Sequence, residues 1–226
     1  GGRCDGSEEK PYEISCIEDL VVLSNMTNGK GIKLENGKAV TITSKNVFTN
    51  KYIILTKNLN FKSKYSYNDS TRTDFGNLNN DDTDGNSLIT EMTTGTGFIP
   101  IADYAGNFDG REHTIANIYI NALEGDKTSK ALIKNVTKNA SIMNLCVTGT
   151  VKSEWQAAGI VAYGVNNGEI KIINCINKAN ITGKNMVGGI AASYMKIIEN
   201  CTNYGNVEIT GSEYRICWYW GNNRSR

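Results

Sequence analysis

Residues 173–183 read INCINKANITG and residues 199–211 read ENCTNYGNVEITG, which places Cys175 and Cys201 26 residues apart in nearly the same setting. Two matched cysteines can be metal ligands, a disulfide, or equivalent positions of a structural repeat. Outward from this pair, TIANIYI, SIMNLCVTGTV, KIINCINKANITG and IIENCTNYGNVEITG align on Asn117, Asn144, Asn174 and Asn200, at separations of 27, 30 and 26 residues. An isoleucine stands two positions before each asparagine (Ile115, Ile142, Ile172, Ile198), and Ile118, Leu145, Cys175 or Cys201 follows it. A second register runs through ALIKNV, AAGIVAYG and VGGIAASY, where Ala131, Gly159 and Gly189 lie 28 and 30 residues apart.

A period of this size marks a solenoid or a propeller. Helical repeats need apolar residues at a 3.6-residue period over ten or more positions; these units instead offer short β-rich runs broken by Gly and Asn. A propeller blade needs roughly 40 residues or more, whereas 26 to 30 suits one coil of a parallel β-helix. Coils stack about 4.8 Å apart, so equivalent residues form ladders around an apolar column. Ile115, Ile142, Ile172 and Ile198 are expected to form one inward ladder, with Ile118, Leu145, Cys175 and Cys201 as the next rung.

The composition agrees with an all-β chain. Its 226 residues include 23 Gly and only 2 Pro, with many Asn, Thr and Ile, a profile of short strands and tight turns. Lysine plus arginine (24) balances aspartate plus glutamate (23), which leaves no global field to draw in nucleic acid or an anionic membrane surface. Basic residues are not striped with aromatics, so nucleic acid is not an expected partner. No run of 18 apolar residues exists, so no membrane insertion is expected, and the opening GGRCDGSEEK lacks the apolar core of a signal peptide; the expectation is a mature or excised fragment of a longer chain.

The stretches GIVAYGVNNGEIKIINC (159–175) and GGIAASYMKIIENCTNYGNV (188–207) resemble the GLUG-type repeats of secreted and surface-attached bacterial proteins, whose usual pattern is GGIVGYN, a turn, then IENCYNTGNV. GTGFIPIADYAGNFDGREHTIANIYI (95–120) is similar to the segment leading into such repeats, and the resemblance covers residues 95 to 211. It implies a right-handed parallel β-helix at the cell surface or outside the cell. It implies no reaction, because such repeats serve as structural or adhesive modules.

The flanks divide the chain further. In PYEISCIEDLVVLSNMTNG, Ser15 stands three residues before Glu18, a capping-box spacing, so a helix is expected over about 16–27 with Leu20, Leu23 and Met26 on one face and Asn28-Gly29 at its end. In the resembled family such a helix covers the end of the core, which otherwise exposes apolar surface and unpaired strand edges. KAVTITS and KYIILTKNLNFK read as first strands and complete a cap over 1–61. Residues 62–97 form a polar excursion, 98–211 the repeats, and 212–226 a tail without the expected VGGIVG-like run; Trp218 and Trp220 carry no functional weight.

Three kinds of chemistry compete with a purely structural role. NDDTDGNSLITE (80–91) has the spacing of a calcium loop, with donors at Asn80, Asp82 and Asp84, a turn at Gly85 and Glu91 as closer; calcium is therefore a candidate cofactor. The match departs in having Asn first, Ser87 at the apolar position and no flanking helices, and an Asx-rich surface loop explains the same residues. β-Helices also host polysaccharide lyases and hydrolases, which need converging carboxylates. Asp103, Asp109 and Glu112, with Arg111 and Lys134, are the candidate cluster; each also reads as a loop charge. His113, the only histidine, sits where the resembled segment has a routine turn residue, which implies a structural role. Finally, Tyr104, Tyr119, Trp155 and Tyr163 are candidate carbohydrate contacts, with packing as their other reading. The sequons at Asn135 and Asn180 follow from composition.

The expectation is thus a structural or adhesive module with no catalysis of its own, borne on a longer extracellular or cell-surface chain, with a host or matrix glycan or protein as partner. A carbohydrate-active β-helix enzyme or a carbohydrate-binding module is the alternative. For the cysteines, zinc needs four soft ligands that the rungs do not supply. A disulfide between stacked Cβ atoms about 4.8 Å apart would be strained against the usual ~3.8 Å. Cys175 and Cys201 are therefore expected as free inward thiols, and Cys146, one step out of phase, should face away from the core.

Overall fold

The structure is a computed structural model that describes residues 4–35, 38–62, 92–165 and 167–211. The chain forms a parallel β-helix. One face stacks Tyr12–Ile14, Tyr52–Leu55, Asn107–Asp109, Ser141–Met143, Lys171–Ile173 and Ile197–Glu199 in that order, every pairing parallel. The second face runs from Leu59–Asn60 through Thr114–Asn121 to Cys146–Lys152, on which 176–177 and 180–183 stack side by side, followed in turn by 202–203 and 207–209. The third stacks Ile133–Asn135, Val161–Tyr163 and Ala191–Ser193, with Ile101 bridged to Ile133 ahead of them. A short antiparallel hairpin, Ile32–Glu35 with Lys38–Thr41, stands outside the stack.

The inward side chains make the continuous apolar column that short coils cannot build alone. Ile53, Phe108, Ile142 and Ile172 are successive rungs, each at most 2% exposed, and Ile198 closes the ladder half-buried. Leu145 and Cys175 are buried beside it, with Cys201 packed against the core. The corner after this ladder turns through asparagine: Asn144, Asn174 and Asn200 hold φ of 53°, 53° and 50°. Asparagine enters the left-handed region more readily than other residues with a Cβ. Asn144 Nδ2 donates to Asp109 Oδ1 at 2.9 Å and Asn174 Nδ2 to Asn144 Oδ1 at 3.2 Å, so the corner is also a hydrogen-bonded ladder.

The first repeat is in a different place from the one its sequence suggests. Ile115 pairs with Leu59 and Val147 on the second face, and Ile118 pairs with Gly149; neither belongs to the Ile142 or Leu145 rungs. The rung preceding Ile142 is Phe108, 34 residues earlier. Asn117 shares the positive φ of the corner asparagines, at 58°, because it lies in a bulge where the pairing shifts between Val147 and Gly149. Local conformation, not stacking, produced the false alignment.

The helix spans Ile17–Asn28 and ends on Gly29 at φ 69°. Ile17, Leu20, Val21 and Leu23 enter the main core, and Met26 packs on it. Its start differs from a Ser15–Glu18 capping box: Cys16 is the N-cap without a side-chain bond, and Asp19 Oδ2 instead accepts from Ser15 N (2.8 Å) and Ser15 Oγ (3.0 Å). The carboxylate one residue further on reaches the same amide. The helix covers the start of the third face, where Ser24 Oγ donates to Ile99 O at 2.6 Å and Asn28 Nδ2 to Pro100 O at 3.0 Å.

Candidate functional site

Small residues on the third face shape a depression beside it. Ala131, Ala158, Ala162 and Ala192 form a buried cluster separate from the main core, with Tyr163 and Met186 packed on it. Register then sets the walls. Tyr163 pairs with Ser193, which brings Tyr194 into the next position, while Trp155 leads into the short strand Ala157–Ala158. Trp155, Tyr163 and Tyr194 together line a groove of about 390 Å3. Trp155 is 38% and Tyr194 55% exposed. A volume of this size falls in the ~300–1,000 Å3 range of small-molecule sites.

The polar lining is incompletely satisfied. Ser193 is 7% exposed and its Oγ has no hydrogen-bond partner among the described residues. Gln156, equally buried, accepts from Ser129 Oγ at 3.0 Å, but its Nε2 reaches only the Met186 sulfur at 3.8 Å, a weak acceptor. Lys127 and Lys134 complete the basic part of the lining, which contains no carboxylate among the described residues. Burial raises the Tyr163 phenol above its ordinary value, and the charge of Asp103 adds to this, so the ring stays protonated. Tyr194 holds φ 57°, a conformation bulky residues rarely adopt.

Of the candidate carbohydrate contacts, the structure brings Trp155 and Tyr163 together in this groove and leaves the other two out. Tyr104 is fully buried, edge-on to Phe108 at 6.5 Å, and cannot stack on a sugar; its position corresponds to Val136 on the next coil. Tyr119 is half-buried on the second face, against Gly97. Tyr194, Gln156 and Ser193 were not singled out from the sequence, although the 30-residue offset that relates Gly159 to Gly189 also relates Tyr163 to Ser193.

The acidic cluster does not converge on either described cavity. Asp103 Oδ2 accepts from Lys45 at 2.8 Å and Oδ1 from Asn135 Nδ2 at 2.7 Å; these bonds, the Asn135 one first, hold its carboxyl below the ordinary range. Asp109 Oδ1 accepts from Arg111 N and Asn144 Nδ2 and fixes a corner. Among the described residues Glu112 is the only carboxylate lining a second cavity of about 240 Å3, beside Asn144, Cys146 and Asn174. Lys134 belongs to the aromatic groove. Asn80, Asp82, Asp84 and Glu91 lie outside the described residues, as do Trp218 and Trp220. No group of three or more metal-ligating side chains occurs among the described residues. No helix among them is long and apolar enough to cross a membrane.

Among the described residues Cys4, Cys146, Cys175 and Cys201 are in no disulfide, and Cys175 and Cys201 occupy the inward rung. Cys175 N donates to Cys201 Sγ at 3.4 Å, and the Cys175 thiol faces the Ile173 carbonyl at 3.4 Å. The bond to Cys201, together with burial, pushes the Cys175 thiol up, so it behaves as a small hydrophobe. Cys146 is part-exposed on the outward side, at the second cavity.

The chain is similar to the protein named halomucin of Haloquadratum walsbyi (strain DSM 16790 / HBSQ001), with 32% identity over 124 residues, covering 48% of this chain and 1% of that protein. The chain thus spans only a very small part of the length of the curated relative it matches. No family model matches the chain. No solved structure matches it either.

Proposed function

We propose that this chain is a structural and adhesive repeat module of an extracellular or cell-surface protein, carried within a longer polypeptide and without catalysis of its own. The observation that carries this reading is how the polar side chains are used. Asp103 and Asp109 are hydrogen-bonded into corners, Asn144 and Asn174 extend the corner ladder, and among the described residues Glu112, beside those asparagines, is the one carboxylate on either described cavity. A glycosidase or lyase site needs a pair of carboxylates converging on one bond.

The resemblance of residues 95–211 to GLUG-type repeats supports the same reading, as does the partial similarity to halomucin, a relative so long that 124 residues make up 1% of it. Beads coated with the folded chain should be retained on immobilised extracellular glycan or matrix protein under flow. Retention no better than that of beads coated with heat-unfolded chain would contradict an adhesive role.

A further inference from the structure

We propose that the groove between Trp155, Tyr163 and Tyr194 is a binding site for an acidic sugar, a uronate unit of an extracellular glycan. The inference rests on the reading of the chain as a non-catalytic adhesive module and names the ligand class that module takes. Four observations support it independently. Three aromatic side chains border one groove, two of them well exposed, and exposed rings offer flat apolar faces that match the C–H face of a pyranose. Ser193, 7% exposed, carries a hydroxyl with no partner among the described residues, and leaving a buried polar group unpaired is destabilising. Such a group is the mark of a site completed by something outside the chain.

Charge then selects among sugars. Lys127 and Lys134 line the groove, no acid does, and neither lysine is in an ion pair among the described residues. Asp103, whose charge is felt by both Lys134 and Tyr163, is already held by Lys45 and Asn135. A neutral sugar would leave the lysines unused, whereas a carboxylate satisfies one of them with a charge-assisted bond. Lastly, Tyr194, one of the residues lining this groove, holds a left-handed backbone, and strain in a bulky residue is retained where the surroundings impose it, often at ligand sites.

Isothermal titration of the full chain with a galacturonate trisaccharide, with a glucuronate-bearing hyaluronan tetrasaccharide and with the methyl ester of the first tests the assignment. At least one uronate should bind about tenfold or more tightly than the ester, and raised salt should weaken the uronate only. Trp155→Ala should cost about tenfold in affinity for both charged and esterified sugars, and Lys134→Met should cost affinity for the charged one alone. Unchanged thermal midpoints certify that the variants fold, and Tyr194→Ala serves in place of Trp155→Ala if the latter does not. The assignment is overturned if neither uronate binds, if ester and acid bind alike, or if both aromatic variants bind as the parent does. Cleavage of the oligosaccharides during titration would instead sink the non-catalytic reading while leaving the groove assignment standing.

Discussion

Thr27 Oγ1, on a fully buried side chain of the N-terminal helix, accepts the amide hydrogen of Ala102 at 3.1 Å. Ala102 belongs to the segment that opens the third face of the stack, where a preceding strand would otherwise supply that acceptor. With Ser24 and Asn28 bonded to the carbonyls of Ile99 and Pro100, the helix satisfies with side chains the backbone edge that a coil would satisfy with backbone. Thr27→Val keeps the shape and removes the acceptor, leaving a buried amide unpaired. It should cost about 1–3 kcal/mol, read as a lower urea midpoint with unchanged slope, while Thr27→Ser should remain near the parent.

A second ladder crosses the interior. Asn177 Nδ2 donates to Asn203 Oδ1 at 2.7 Å and to Ala179 O at 3.0 Å, and Asn177 Oδ1 accepts from Ala179 N at 3.1 Å. Leu59, Ile115 and Val147 occupy the same rung on earlier coils, so this ladder changes from apolar to amide. Gly159 leaves the room that makes this possible: a Cβ there would collide with Asn177 Oδ1 and would lie 2.6 Å from Gly189 O. Gly159→Ala should therefore lower stability by about 1–3 kcal/mol through overpacking, measured as a fall in thermal midpoint.

The thiols should separate by burial. Cys146 and Cys4 should react with a soluble thiol reagent in the native chain, located by peptide mass mapping, and Cys175 only after denaturant is added. Native labelling of Cys175 as fast as Cys146 would contradict the inward placement of its rung.

Asp103 makes stability fall in acid. Its folded-state pKa is depressed, by Asn135 first and Lys45 second, so its contribution is fully present above the ordinary value of 3.8 and is lost as pH falls through the lower folded-state value. The side chain is 36% exposed, and solvent screening keeps the effect small. The difference in urea midpoint between the parent and Asp103→Asn should accordingly be larger at pH 7 than near pH 3.

Much of the architecture is legible in sequence because a stacked coil writes its period into the chain. Ile142, Ile172 and Ile198 repeat at the true spacings, and Ala131, Gly159 and Gly189 mark the turns into the strands of the third face. Asn117 misleads because a bulge and a coil corner demand the same left-handed residue. Tyr104 follows the packing alternative that its sequence left open: on this coil it fills the rung that Val136 fills on the next. The groove was half visible. Trp155 and Tyr163 stand out by type, whereas Gln156 and Ser193 matter only through being buried beside them, which one linear sequence does not display.

The central claim, a scaffold that holds its ligand without altering it, is tested most directly by counting new reducing ends after prolonged incubation of the chain with uronate polysaccharides. The account predicts no release above a buffer control. Release that disappears in Asp103→Asn or Asp109→Asn would contradict it, because those carboxylates would then be doing chemistry and not holding corners.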